Sequence, residues 1–132
     1  MKGRFVLHLV TLAAASLLLV PAAASAQSMN AEEFYRRATT LQKKGPMALF
    51  SRGEIKLLTN EGAAAGRRAR EQRLAALQAG THPRYCPPQD VRGMDRSEFM
   101  TRLGAIPQAD RARIDMLEAT NRLLAAKYPC KR

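Results

Sequence analysis

Residues 54–79, with the sequence EIKLLTNEGAAAGRRAREQRLAALQA, decide the fold of this 132-residue chain. The stretch contains no proline, and one set of mostly small or apolar residues recurs at alternating steps of four and three, the spacing of one helix face. The set comprises Leu58, Gly62, Ala65, Ala69, Gln72, Ala76 and Ala79. The spacing therefore predicts the longest helix of the chain. Gly62 and Gly66 each cost about 1 kcal/mol of helix stability relative to alanine. The sequence therefore leaves open whether the helix is continuous or is kinked or broken at these glycines.

A shorter helix is predicted before this stretch, over residues 31–43. Asn30 followed by Glu33 has the spacing of a capping box, in which two side chains satisfy the first free backbone N–H groups of a helix. The helix ends at Gly45 and Pro46, because glycine admits the left-handed cap conformation and proline cannot continue the hydrogen-bond ladder. The four apolar residues that follow predict a short turn in which the chain begins its return.

Two further helices are predicted after the long one. Residues 81–88 contain three prolines, which forbid a helix and predict a stiff connector. Asp95 and Glu98 form a second capping-box pattern, and the short helix that they open ends at Pro107. The last helix is predicted over residues 111–127.

The composition is that of one small helical domain. The chain is 46% hydrophobic but only 5% aromatic, and it has no tryptophan, so Leu, Ala, Ile and Met must fill most of the core. Strict alternation of apolar and polar residues is hard to find, and β-branched residues are sparse. We therefore expect an all-α fold, a small bundle of four to five helices with one disulfide, over residues 27–132.

The N-terminal residues 1–26 have the pattern of a cleavable signal peptide. Two basic residues precede a largely apolar run over residues 5–20, and Ala-Ser-Ala at positions 24–26 supplies the small residues that a signal peptidase requires. The alternative is a membrane anchor, but sixteen residues fall short of the roughly 20 needed to span a bilayer. We expect cleavage before Gln27 and a soluble periplasmic protein with no transmembrane segment after cleavage.

The two cysteines, Cys86 and Cys130, are expected to form a disulfide, because an exported protein meets an oxidising compartment. The ring would stabilise the fold by about 4 kcal/mol in the chain-entropy model. The alternative is a metal site that adds His82, four residues before Cys86. No fourth ligand is evident for such a site, so neither a metal nor a cofactor is predicted.

Few residues suggest catalysis. His82 is the only histidine after the leader, and its neighbouring cysteine is predicted to be oxidised, so a nucleophile with a histidine base is disfavoured. Asp95 and Glu98 fit a helix cap better than a pair of catalytic carboxylates. The chain has no phosphate-binding glycine loop and no dinucleotide fingerprint. We therefore predict that the protein is not an enzyme and has no catalytic residues.

The strong positive charge predicts an acidic partner. The chain has a formal net charge of +11, which falls to +9 when Lys2 and Arg4 leave with the leader. Four arginines of the long helix are the predicted partner-binding residues, Arg67, Arg68, Arg70 and Arg73. Export argues against nucleic acid and favours an acidic protein, cell-wall polymer or anionic lipid. A solvated helix face with no partner is the alternative.

The second half of the chain resembles the Rap/Tai family of type VI secretion immunity proteins. The resemblance rests on the YCPP segment at residues 85–88, the amphipathic residues 99–103 and the terminal LLAAKYPC at residues 123–130. It covers residues 81–130, while the first two helices match only in general architecture. Within it, Cys86 and Cys130 match the disulfide pair of the family.

The resemblance implies a small helical periplasmic protein, often a homodimer, that binds a secreted peptidoglycan amidase and occludes its active site. No residue of this chain matches an inhibitory loop of the family. The chain departs from the family pattern in its very basic long helix and in the turn GPMAL at residues 45–49. The expected function is therefore an immunity-type binding protein. The alternative is a non-catalytic basic envelope protein that binds cell-wall polymer or anionic lipid.

Overall fold

The computed structural model describes residues 28–131 and confirms an all-α bundle of five α-helices. The predicted signal peptide, residues 1–26, lies outside the described residues. Residues 28–131 contain no strand beyond one isolated bridge between Asn30 and Asp115. In chain order the elements are α1 (Ala31–Lys43), a 3₁₀ helix (Gly45–Ser51), α2 (Arg52–Gln78), α3 (Arg96–Ala105), α4 (Gln108–Arg111) and α5 (Met116–Lys127).

The two predicted N-caps begin α1 and α3. Asn30 Oδ1 accepts hydrogen bonds from the backbone N–H groups of Glu32 and Glu33 at 2.9 and 3.2 Å. Asp95 Oδ1 accepts one from the N–H of Glu98 at 2.9 Å. Because such caps satisfy donors that have no partner inside the helix, each stabilises the fold by about 1 kcal/mol relative to alanine.

Helix α2 is one uninterrupted helix, so neither Gly62 nor Gly66 breaks it. A Cβ atom at Gly62 would lie 3.8 Å from Cζ of Phe34, which places α1 close to α2 there. The predicted stripe supplies the buried residues of the helix, Leu58, Ala65 and Ala69. Helix α2 packs most extensively against α5, and this packing outweighs the intrinsic cost of the two glycines.

The predicted last helix, residues 111–127, is wrong at its N-terminal end, where α4 and α5 are separate helices. Between them the backbone bonds to the segment before α1 instead of continuing a helix. The N–H of Ala31 donates to the carbonyl oxygen of Ile114 at 3.0 Å, and the N–H of Met116 donates to that of Met29 at 2.8 Å. These long-range hydrogen bonds fix the start of α1 against the start of α5.

The core lies where all three longer helices and α3 meet. Its aromatic contact joins Phe34 of α1 to Phe99 of α3, with ring centroids 6.0 Å apart in an edge-to-face arrangement. On the α2 side two of the three buried residues, Ala65 and Ala69, are small, which lets α5 approach α2 closely. The buried members of the core cluster are Ala31, Phe34, Leu58, Ala65, Met100, Leu103, Met116, Ala119 and Leu123.

The predicted disulfide between Cys86 and Cys130 is confirmed. It joins the connector after α2 to the tail after α5, and beside it the N–H of Cys86 donates to the carbonyl oxygen of Tyr128 at 2.8 Å. Because both sulfur atoms are in this bond, they provide no thiolate ligands for the alternative metal site with His82.

Candidate functional site

The connection between α1 and α2 carries the most exposed large apolar side chains in residues 28–131. Met47, Leu49 and Phe50 are 63%, 67% and 85% exposed, and we call these three residues of the 3₁₀ helix the apolar tip. Single exposed apolar residues are common on proteins, but a contiguous group of them marks an interaction surface. The tip is therefore the first candidate for a binding site.

The local sequence explains why the tip projects. Gly45 has a φ of +52°, which a residue with a side chain rarely adopts, and Pro46 follows it in the first turn of the 3₁₀ helix. The Nζ atom of Lys44 donates to Oγ of Ser51 at 3.1 Å, joining the two ends of this short helix. None of its residues is buried. The sequence predicted a turn here, but not that its apolar side chains would face solvent.

An ion pair joins the two helices that flank the tip. Arg37 of α1 donates from Nε and a terminal nitrogen to both carboxylate oxygens of Glu54 in α2, a bidentate arrangement, and also to Glu33 at 3.0 Å. The hydrogen bonds from Arg37 hold the pKa of Glu54 below its ordinary value, and the attraction between the opposite charges lowers it further. The pair therefore holds the two flanking helices in register.

Cations flank the tip on both sides in the sequence. Four exposed basic residues lie within this part of the sequence, Lys43, Lys44, Arg52 and Lys56. The only acidic residue between the first and last of them is Glu54, which is paired with Arg37. The tip is thus an apolar projection with a positively charged border.

An apolar cleft opens beside the tip, between α1, α2 and α3. It has a volume of about 590 Å³, and Gly45 and Ala48 of the 3₁₀ helix form part of its rim. Its polar lining consists of Gln42, Thr59, Asp95 and Arg96. Its larger apolar lining residues are Phe34, Leu41, Ile55, Leu58, Met94, Phe99 and Met100.

A second, polar groove adjoins the apolar cleft. It has a volume of about 500 Å³ and lies between α1 and the start of α3. The two cavities share three lining residues, Gln42, Arg96 and Met100, and Arg96 is the only charged residue among those that line the polar groove. The remaining residues of the polar groove carry hydroxyl groups, Tyr35, Thr39, Ser97 and Thr101.

The four predicted partner-binding arginines do not share one environment. Arg67 and Arg70 are exposed, whereas Arg68 and Arg73 are half-buried. The guanidinium carbon of Arg73 lies 5.6 Å from the ring centroid of Tyr85, which is buried beside the disulfide. Arg73 thus faces the connector, while Arg67 and Arg70 remain available to a partner. Their role in binding stays a prediction.

Arg111 is a buried cation that the sequence analysis did not predict. It is only 6% exposed, its Nε donates to Glu32 at 2.6 Å, and its guanidinium carbon lies 4.1 Å from the ring centroid of Tyr35. It also donates to the carbonyl oxygens at the end of α3, including that of Gly104 at 3.2 Å. This residue satisfies the C-terminal carbonyls of α3 and ties that helix to α1.

The residues considered for catalysis occupy separate structural settings. His82 is exposed on the connector, and Asp95 caps α3. Glu98 accepts hydrogen bonds from Lys127 and Arg102, and the bond from Lys127 is the main reason that the pKa of Glu98 is lowered. In residues 28–131 no group of three or more His, Cys, Asp or Glu side chains could hold a metal ion. None of the helices described is both long and apolar enough to cross a bilayer.

Comparison with protein-family models, with curated proteins and with solved structures finds no match to this chain.

Proposed function

We propose that this protein is an exported, immunity-type binding protein that inhibits a secreted peptidoglycan amidase by inserting the apolar tip into the substrate cleft of that enzyme. The observation that carries the proposal is the exposure of Met47, Leu49 and Phe50 on a projecting 3₁₀ helix. A convex apolar group fits a concave enzyme surface, and apolar anchors at the centre of an interface supply most of its binding energy.

The framework of the tip supports this role. The bidentate pair of Arg37 and Glu54 joins the helices at both sides of the tip, and the bond from Lys44 to Ser51 joins its ends. A segment that is already ordered loses less conformational entropy on binding than a flexible loop. The framework therefore favours occlusion by a preformed projection.

The charge of the protein supports an acidic target. The cations at the tip border, and Arg67 and Arg70 on α2, are exposed. A strongly basic protein is steered toward acidic surfaces, which raises the rate of association more than the final affinity. The location in an oxidising periplasm is part of the proposal, and the disulfide between Cys86 and Cys130 supports it.

The test uses the chain without residues 1–26, with its disulfide intact, and the exported amidase encoded at the same locus. We expect a stable complex and inhibition of peptidoglycan cleavage. Phe50→Asp should weaken both by about thirtyfold or more, as loss of an interface anchor does. Leu77→Asp is the matched control, because Leu77 is 50% exposed on α2, outside the tip. Equal effects of the two substitutions, or the absence of binding, would contradict the proposal.

The second candidate function is attachment to anionic lipid or cell-wall polymer. The cationic border of the apolar tip favours it, because apolar side chains flanked by basic residues also suit a membrane surface. Sedimentation with anionic vesicles and with peptidoglycan at low and high salt measures this binding directly. Retention at low salt by the wild-type chain, without inhibition of the amidase, would favour this second function over the first.

A further inference from the structure

The apolar cleft and the polar groove together form one amphipathic site. They meet at Gln42, Arg96 and Met100, which line both cavities. On one side of this junction the walls are mainly apolar, and on the other side they carry hydroxyl groups and one cation. A ligand that spans the junction must therefore have an apolar part and a polar, negatively charged part.

We propose that this site binds a single-chain anionic amphiphile, a fatty acid or a lysophospholipid, with its acyl chain in the apolar cleft and its charged head group beside Arg96. This binding activity is independent of the proposed inhibition of an amidase. It uses the space between α1, α2 and α3, whereas the inhibition uses the side chains of the apolar tip.

The apolar cleft suits an acyl chain in size and chemistry. Its volume of about 590 Å³ lies within the range of roughly 300–1,000 Å³ that is usual for small-molecule sites. Phe34 and Phe99, which contact each other edge to face, form part of its wall together with Leu58. An acyl chain bound there would cover apolar surface of the protein and remove its own methylene groups from water.

The charges at the junction determine the orientation of the ligand. Arg96 is exposed, makes no ion pair within residues 28–131, and is the only charged residue lining the polar groove. Exposed Ser97 and Thr101 add hydroxyl groups that can donate to an anionic head. Asp95 lines the apolar cleft but not the polar groove, and one of its carboxylate oxygens accepts a hydrogen bond from the N–H of Glu98. Its negative charge opposes an anionic head in the cleft and favours the head in the groove.

The first experiment is calorimetric titration of the disulfide-intact chain without residues 1–26 with palmitate and with lysophosphatidylglycerol, each below its micelle-forming concentration. We expect saturable binding of one molecule of at least one of these two probes. Where palmitate binds, myristate, which is two methylenes shorter, should bind about tenfold more weakly. Monopalmitin, which has the chain of palmitate but no charge, should also bind more weakly than palmitate.

Two substitutions test the two halves of the site separately. Ala63→Phe adds a ring at an exposed position that lines the apolar cleft and should weaken binding by about tenfold or more, whereas Ala75→Phe, on an exposed part of α2 outside the cleft, should not. Arg96→Gln should reduce the preference for palmitate over monopalmitin, and Arg113→Gln should leave it unchanged. Thermal unfolding of each variant checks that it is folded.

Each result bears on the proposal directly. Binding of either anionic probe that depends on both positions supports it, and the stronger of the two probes identifies the head group. The absence of saturable binding by both probes would overturn the proposal. If Ala63→Phe leaves binding unchanged, the acyl chain does not lie in the apolar cleft and that assignment is wrong. If Arg96→Gln leaves the binding of palmitate unchanged, the head group does not lie beside Arg96 and that assignment is wrong.

Discussion

The two ends of this helical bundle are built in opposite ways. At one end the disulfide between Cys86 and Cys130 holds the connector on the tail, with Tyr85 buried beneath Arg73. At the other end the apolar tip has no buried residue, and Phe50 is 85% exposed to solvent. The stability of the fold explains the residues at the disulfide end, because their groups are covered or covalently joined. The stability of the fold does not explain the apolar tip, because its exposed side chains are not removed from water when the chain folds.

The largest expected effect comes from removing the disulfide. The double variant Cys86→Ser, Cys130→Ser should lose about 4 kcal/mol of unfolding free energy, because the unfolded chain regains the freedom of the closed loop. Urea denaturation of the oxidised wild type and the variant measures this difference. A loss of less than about 1 kcal/mol would show that the connector is held by its noncovalent contacts instead.

Arg111 provides an intermediate comparison, because it lies in the body of the bundle between the two ends. Arg111→Ala should cost about 3 kcal/mol, since it leaves the carboxylate of Glu32 and the last carbonyls of α3 without their donor. Arg113→Ala is the control, because Arg113 is exposed two residues away. Chemical denaturation of both variants should separate them clearly, and equal stabilities would refute the role assigned to Arg111.

Among the carboxylates whose pKa is lowered in the fold, Glu118 at the disulfide end should make the largest contribution to the loss of stability in acid. The hydrogen bond from Arg84 is the main cause that lowers the pKa of Glu118 from 4.5 to about 2. Because the pKa is lower in the folded state, the stabilisation is complete above about pH 4.5 and is lost as the pH falls toward about 2. After allowance for solvent screening of these partly exposed groups, we expect a loss of about 1 kcal/mol.

Unfolding of the wild type and of Arg84→Gln between neutral pH and about pH 3 tests this assignment. The variant should show a smaller loss on acidification, and Arg122→Gln should change the loss less, because Arg122 contributes less than Arg84 to the lowered pKa of Glu118. If both variants lose as much stability as the wild type, the acid sensitivity arises elsewhere.

The smallest expected effect on stability is at the tip. Phe50→Ser should change the unfolding free energy by no more than about 0.5 kcal/mol, because an exposed side chain away from a packed site contributes little. Thermal denaturation measures the change. A loss of about 2 kcal/mol or more would mean that Phe50 packs in the folded protein and that the contrast between the two ends is wrong.

Much of the architecture was predictable because it rests on local signals. The capping residues Asn30 and Asp95 lie where the structure begins α1 and α3. The boundary between α4 and α5 also has a local signal in the sequence, since Asp115 caps α5 by accepting a hydrogen bond from the N–H of Glu118. The prediction extended the last helix through this third capping pattern, because the apolar spacing on both sides of Asp115 is compatible with a single helix.

The candidate site was much less predictable. The apolar residues 47–50 indicated a turn, but whether a turn residue is covered depends on which helices approach it, and no local signal contains that information. The same is true of Arg96, an ordinary surface residue in the sequence that the meeting of α1 and α3 places at the junction of two cavities. The arginines of α2 were visible as a group in the sequence, but only Arg73 packs over the ring of Tyr85 in the connector.

The helical periods, most of the helix ends and the pairing of the cysteines could be read from the amino-acid sequence, because spacing, capping and thiol chemistry act between a few residues of known type. Three further properties could be read only from the folded protein: Phe50 faces solvent, Arg111 is buried, and a cleft lies beside α2. These properties depend on how much of a residue its distant neighbours cover, which is set when the helices pack together.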